Sequence, residues 1–125
     1  MKIKNITIAI KSAEQGLKEF ATTLKNVQAG HAPKRQKESA YFVSVEAFQS
    51  VLTPKRLALL QTVHRQKPQS IYELAHLVNR NLKNVQDDIS LLARLGFVSL
   101  TKKREIRNKV TPRADYDRIQ IQIPI

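Results

Sequence analysis

The stretch from Thr53 to Gly96 constrains the fold most, because it marks the beginnings and ends of three short helices. Thr53 is a typical N-cap, and Pro54 suits the first helical position, where its missing N–H costs nothing. Ser70 is a second N-cap, and the polar turn 79–81 precedes a third helical pattern that ends before Gly96. The last two helices, joined by such a short turn, are predicted to form a helix-turn-helix.

The third helix of this set, predicted over 82–95, has two chemically distinct sides. Val85, Ile89 and Leu92 lie within about 40° of one another on a helical wheel, and Ala75 on the preceding helix is small enough for the close crossing. The remaining arc carries amide, hydroxyl and cationic groups of the kinds that read base edges or hold phosphates. Asn81 at the helix start and Asn84 at the edge of this arc complete the set. The candidate contact residues are Asn81, Lys83, Asn84, Gln86, Asp87, Ser90 and Arg94.

Positive charge is concentrated in the same half of the chain. The 125 residues carry a net charge of +12, and residues 51–113 hold 13 Lys and Arg against 4 Asp and Glu. The helix pair is followed by a strand predicted over 97–100, a basic loop and a further extended segment. This order of elements predicts a winged helix, with its wing over about Leu100 to Val110. The cations expected to contact a nucleic-acid backbone are Arg80, Lys102, Lys103, Arg104, Arg107 and Lys109.

The two ends of the chain are predicted to be extended. Residues 2–10 show strand alternation, and Ser12 caps a helix that ends near Gly30. Isoleucines alternate with polar residues over 119–125, which predicts a second strand that Pro124 ends. Burying these strands against each other or against a second subunit avoids an open edge, so we expect a homodimer formed by residues 1–30 and 117–125.

The expected organisation is therefore an α+β chain. An N-terminal strand–helix extension occupies residues 1–45, a winged helix-turn-helix domain occupies 46–113, and a C-terminal strand occupies 114–125. Between the first helix and Thr53, we expect a loop over 31–38, a short strand over 40–45 and one or two helical turns over 46–52.

Three segments also carry a resemblance to a known family: LTPKRLALLQTV, SIYELAHLVNRNLKNVQDDISLLARLGFVSL and YDRIQIQI. They are similar to the MarR-like winged-helix regulators of prokaryotes, and within these to a group of predicted transcriptional regulators marked by LTPKRL and KNV. The resemblance covers residues 42–125. It implies binding of double-stranded DNA through Asn81, Lys83, Asn84, Gln86 and the basic wing. It also implies an antitoxin or autoregulator role, in which the terminal segments bind a toxin protein.

An enzyme is a competing interpretation, and the sequence argues against it. The chain has no Cys, and its three Gly form no phosphate-binding loop. His64 and His76 lie on separate predicted helices without a carboxylate at metal-ligand spacing. His64 continues an apolar stripe, so we expect it to be buried with a hydrogen bond, and we expect Asp88 to pair with a cation of a neighbouring helix. We therefore predict no catalytic residues, no metal ligands and no cofactor.

RNA binding and protein interaction are two further functions that a small basic domain can serve. The net charge alone does not distinguish a DNA-binding from an RNA-binding protein. Binding of single-stranded RNA usually requires aromatic side chains that stack on the bases, and no aromatic residue lies among the wing cations. The chain has no apolar run of about 18 residues, and MKIKNITIAI lacks the pattern of a signal peptide. We therefore expect a cytoplasmic protein that does not enter a membrane.

Overall fold

The computed structural model describes residues 5–28, 40–102 and 109–125. Within these residues the chain is α+β, as predicted, with five helices and two small sheets. The helices are α1 (Ala13–Gln28), α2 (Val45–Val51), α3 (Pro54–Gln66), α4 (Ile71–Val78) and α5 (Leu82–Arg94). The strands are β1 (Asn5–Ile10), β2 (Ala40–Phe42), β3 (Ser99–Lys102), β4 (Val110–Arg113) and β5 (Arg118–Gln122).

The chain forms two compact units. The helical unit includes Val51–Arg118, and the sheet unit includes Ile6–Ser50 and Ile119–Ile125. The last strand therefore belongs with the first half of the chain, although it lies next to the helical unit in sequence. Among the described residues, no helix is long and apolar enough to span a lipid bilayer.

The helical unit is built on α3, α4 and α5, which pack against one another. Both predicted N-caps are confirmed, since Thr53 Oγ1 accepts from the Arg56 N–H at 3.3 Å and Ser70 Oγ accepts from the Glu73 N–H at 3.0 Å. The core is apolar and draws on every one of these helices. Its buried members are Leu59, Leu60, Val63, Leu74, Ala75, Val85, Ile89, Leu92, Phe97, Val98 and Ala114.

A two-stranded antiparallel hairpin follows α5. Strands β3 and β4 pair with Leu100 opposite Pro112 and Lys102 opposite Val110. The hairpin begins at Ser99, two residues later than predicted, because Phe97 and Val98 are buried in the helical core instead of pairing as strand. The N–H of Phe97 donates to the Leu92 carbonyl at 2.9 Å, so this residue closes the end of α5.

The sheet unit contains a three-stranded sheet in the order β2-β1-β5. The central strand is buried at Ile6, Ile8, Ala9 and Ile10, and it pairs in parallel with β2, with Ile8 opposite Ala40. The two terminal strands thus lie side by side, one of the two arrangements expected for them. Strand β5 ends at Gln122, as Pro124 predicts.

Helix α1 begins as predicted, with Ser12 Oγ accepting from the Gln15 N–H at 3.1 Å. Its predicted stop at Gly30 and the predicted loop over 31–38 lie outside the described residues. The described side chains of α1 are exposed. Leu17, Phe20 and Leu24 form an apolar stripe along it, and Phe20 is 62% exposed.

Candidate nucleic-acid interface

The turn between α4 and α5 depends on Asn79. Its φ of 53° and ψ of 52° are left-handed, a conformation that Asn adopts more readily than most residues with a side chain. The Asn79 N–H donates to the His76 carbonyl at 3.1 Å, and the Arg80 N–H donates to the Ala75 carbonyl at 3.0 Å. These bonds satisfy carbonyls of the last turn of α4, so the chain can leave the helix abruptly toward α5.

Asn81 begins α5. Its side-chain Oδ1 accepts from the Lys83 N–H at 2.8 Å, and its carbonyl accepts from the Val85 N–H at 3.1 Å. Asn81 is also exposed, at the end of the helix where base contacts are usually made. Because the side-chain oxygen caps the helix, a contact to a base would fall to the side-chain amide nitrogen.

Helix α5 separates an apolar face from a polar one. Val85, Ile89 and Leu92 have no exposed surface, so they fix the helix on the core. In contrast, every candidate contact residue of α5 is exposed to solvent. These residues, which we call the polar arc, are Lys83, Asn84, Gln86, Asp87, Ser90 and Arg94.

Asp88 lies beside the polar arc but is turned inward, as expected. Its Oδ1 accepts from Arg56 Nε at 3.1 Å, and its Oδ2 accepts from Arg80 Nη2 at 2.9 Å. Arg56 Nη1 also donates to the Val51 carbonyl at 2.9 Å. The three side chains, which we call the Asp88 clamp, are 15–23% exposed. Arg80, predicted as a backbone-contacting cation, therefore already donates to a carboxylate.

The hairpin is attached to the helices through β4 and the residue that precedes it. Strand β4 packs against α3 and α4. Thr111 Oγ1 donates to the Gln69 carbonyl at 2.7 Å, and Lys109 Nζ donates to Gln69 Oε1 at 3.3 Å. Lys102 is exposed. Lys103, Arg104 and Arg107, the other predicted wing cations, lie outside the described residues.

The exit from α5 is fixed by Gly96 and Tyr116. Gly96 has a φ of 86°, which confirms the predicted helix stop, since a side chain is disfavoured there. The Tyr116 hydroxyl donates to the Phe97 carbonyl at 2.8 Å. Burial raises the pKa of Tyr116 to about 12, so the phenol keeps the proton that it donates. The segment after the hairpin thus holds the residues between α5 and β3 in place.

His64 is hydrogen-bonded as expected, but the prediction that it is buried is wrong. Its side chain is 37% exposed. Nδ1 lies 2.8 Å from the Ala114 carbonyl, and Nε2 lies 3.4 Å from Asp117 Oδ1. The helix stripe that suggested burial ends at Val63, and His64 instead reaches the segment that follows β4. A cavity of about 280 Å³ lies here, lined also by Lys67 and Arg113.

Several contacts of the site were not visible in the sequence. The sequence indicated that Asp88 would find a cation but did not identify Arg56, which lies 32 positions away. Gln69 and Thr111 showed no pattern at all, because a side chain that bonds a loop carbonyl leaves no periodic signal. Among the described residues, no group of three or more His, Asp or Glu is placed to hold a metal ion.

A comparison with protein families identifies the part of the chain that contains this surface. The HVO_A0114 family model matches residues 51–121, which is more than half of the 125 residues. No curated protein and no solved structure matches the chain. The matched segment includes α3, α4, α5, the described hairpin strands and most of β5. The chain therefore belongs to the HVO_A0114 family.

Proposed function

We propose that this protein is a winged helix-turn-helix transcriptional regulator that binds double-stranded DNA in the cytoplasm, with α5 as its recognition helix. The observation that carries the proposal is the division of α5 into two faces. Val85, Ile89 and Leu92 on its apolar face are fully buried, and every residue of the polar arc is exposed. A helix held in this way presents side chains of fixed position to a partner, as base recognition requires.

The chemistry of the polar arc suits the major groove. An α-helix fits this groove, and an Asn or Gln side chain can form two hydrogen bonds with adenine. Gln86 and Asn84 offer such amides, and Ser90 offers a hydroxyl. Lys83 lies near the start of α5, where a cation can pair with a phosphate. We therefore assign base selection to the amides and nonselective affinity to the cations.

The hairpin supports the same proposal. It comes next after α5 in the chain, Lys102 ends β3, Lys109 immediately precedes β4, and both Lys109 and Thr111 are bonded to Gln69. A basic hairpin beside a recognition helix is the wing of a winged helix, and its cations add phosphate or minor-groove contacts. This proposal agrees with the net positive charge of residues 51–113.

A selection experiment tests the proposal. Double-stranded oligonucleotides of random sequence are incubated with the protein, and the bound fraction is sequenced over several rounds. We expect one enriched motif, and we expect Gln86→Ala to change the preferred base at one position, a difference of about 1–3 kcal/mol for a good bidentate contact. Enrichment of no sequence, or equal binding of duplex RNA, would contradict DNA-sequence recognition.

We also propose that the protein acts as a homodimer through α1. The apolar stripe of Leu17, Phe20 and Leu24 is exposed although Tyr41 lies against α1 at Gly16, and most of the stability of an amphipathic helix comes from burying its apolar face. Charge favours a second copy as the occupant, since Glu14 lies in the first turn of α1 and Lys25 in the last. Two antiparallel α1 helices would therefore bring opposite charges together at both ends of the stripe.

The molar mass in solution tests this dimer. Phe20→Glu places a charge in the stripe and is expected to halve the mass measured by light scattering. Thr22→Glu is the matched control, because Thr22 is exposed on the opposite side of the helix and its substitution adds the same charge. A monomeric mass for the unmodified protein would refute the dimer and would direct attention to the predicted toxin protein as the occupant of the stripe.

A further inference from the structure

The Asp88 clamp connects α5 to α3 and to the turn that precedes α5. Arg56 is in the first turn of α3, Arg80 is in the turn before α5, and Asp88 is in the middle of α5. Arg56 also donates to the carbonyl of Val51, the last residue of α2. One carboxylate thus connects α3 and the α4–α5 turn to α5, and through Arg56 it reaches the end of α2.

The arrangement uses Arg80 in a way that conflicts with direct contact to DNA. Its Nη2 atom donates to Asp88, and its Nη1 atom is buried with no hydrogen-bond partner among the described residues. While the guanidinium stays on Asp88, Nη1 is buried and one N–H of Nη2 is already used, so a phosphate contact would compete with the clamp. Leaving would place Asp88 opposite Arg56 alone and would free the turn that begins α5.

We propose that Asp88 is the positioning residue of α5 and that Arg80 acts through Asp88, not on a phosphate. The inference rests on the proposed DNA-binding function. The clamp holds α5 at one angle to α3, so that the amides of the polar arc meet the base edges together. Loss of the clamp therefore reduces the discrimination between DNA sequences more than it reduces binding to DNA in general.

The physical reason is that the clamp contains two cations and one anion. Removal of the Asp88 charge leaves two partly buried guanidinium groups that repel each other, one on α3 and one before α5. The helices can reduce this repulsion by moving apart. Because Val85, Ile89 and Leu92 still anchor α5 in the core, the helix tilts and does not detach.

The test measures affinity for the selected duplex and for a scrambled duplex at several salt concentrations. The unmodified protein is measured first. If it binds the selected and the scrambled duplex equally well, the proposed DNA-recognition function is refuted, and this result is distinct from a failure of the clamp proposal. For Arg80→Ala, we expect the ratio of the two affinities to fall by about tenfold, the size of one lost base contact. We expect the salt dependence on the scrambled duplex to stay unchanged.

A phosphate-binding role for Arg80 gives the opposite result. Arg80→Ala would then reduce both affinities equally and would reduce the slope of log K against log salt by about 0.9. That outcome overturns the proposal. A loss of selectivity with an unchanged slope supports it, and so does partial recovery in Arg80→Lys, since a lysine can still pair with Asp88.

A double-mutant cycle separates positioning from independent effects. We expect Asp88→Asn to lose selectivity as Arg80→Ala does, and we expect the double variant to lose little more. Additive losses overturn the proposal. Asp115→Asn is the matched control, because it removes the same charge from an exposed site in the segment after β4. If Asp88→Asn does not fold, the comparison of Arg80→Ala with Arg80→Lys, each checked by thermal melting, decides the question.

Discussion

Replacement of two exposed lysines gives the most direct measure of how the proposed interface contacts DNA. Lys83 lies in the first turn of α5, and Lys102 ends the first strand of the hairpin. Both are exposed, and neither contributes to the apolar core. The variant Lys83→Gln with Lys102→Gln removes both charges and keeps side chains of similar length, so we expect folding to be unaffected.

The magnitude follows from the number of phosphates that the two cations neutralise. Each neutralised phosphate contributes about 0.9 to the slope of log K against log salt. The double variant should therefore reduce the slope by about 1.8. For a fourfold increase in salt, each contact corresponds to a change of about 3.5-fold in affinity, so the two together correspond to about twelvefold.

Fluorescence anisotropy with a labelled duplex measures these slopes. Lys55→Gln is the matched control, because Lys55 is exposed on α3, outside both α5 and the hairpin, and its replacement removes one like charge. We expect its slope to equal that of the unmodified protein. Equal slopes for the control and the double variant would refute the assignment of α5 and the hairpin as the DNA-contacting surface.

Two further predictions concern the elements that hold the interface. Asn79→Gly should leave the free energy of unfolding close to that of the unmodified protein, whereas Asn79→Ala should lower it by about 1 kcal/mol, because Ala is strained at a φ of 53°. Urea unfolding measures both free energies, and equal values for the two variants would contradict the argument. The raised pKa of Tyr116 favours the folded state below pH 10, and this contribution is lost as the pH rises toward about 12. Tyr116→Phe should therefore remove the titration near pH 12 from the ultraviolet absorbance of the folded protein, and its persistence in that variant would contradict the assignment.

The helical unit shows how far local signals reach. The bounds of α3, α4 and α5 could be predicted closely because the residues that set them act only on their neighbours. These are the N-caps Thr53 and Ser70, the left-handed Asn79 and the helix stop Gly96. The start of β3 was misplaced because Phe97 and Val98 have strand-forming side chains. Their burial in the helical core decides their conformation, and burial depends on the whole fold.

The sequence by itself determined the helices, their caps and the division of α5 into an apolar and a polar side, because these follow from a period of 3.6 residues and from contacts within one turn. Only the tertiary structure decided that Arg56 and Arg80 converge on Asp88, that Gln69 holds the hairpin, and that β5 lies beside β1. Apart from the pair of Arg80 and Asp88, which are eight positions apart, these contacts join residues far apart in the chain, and each depends on the packing of separate elements.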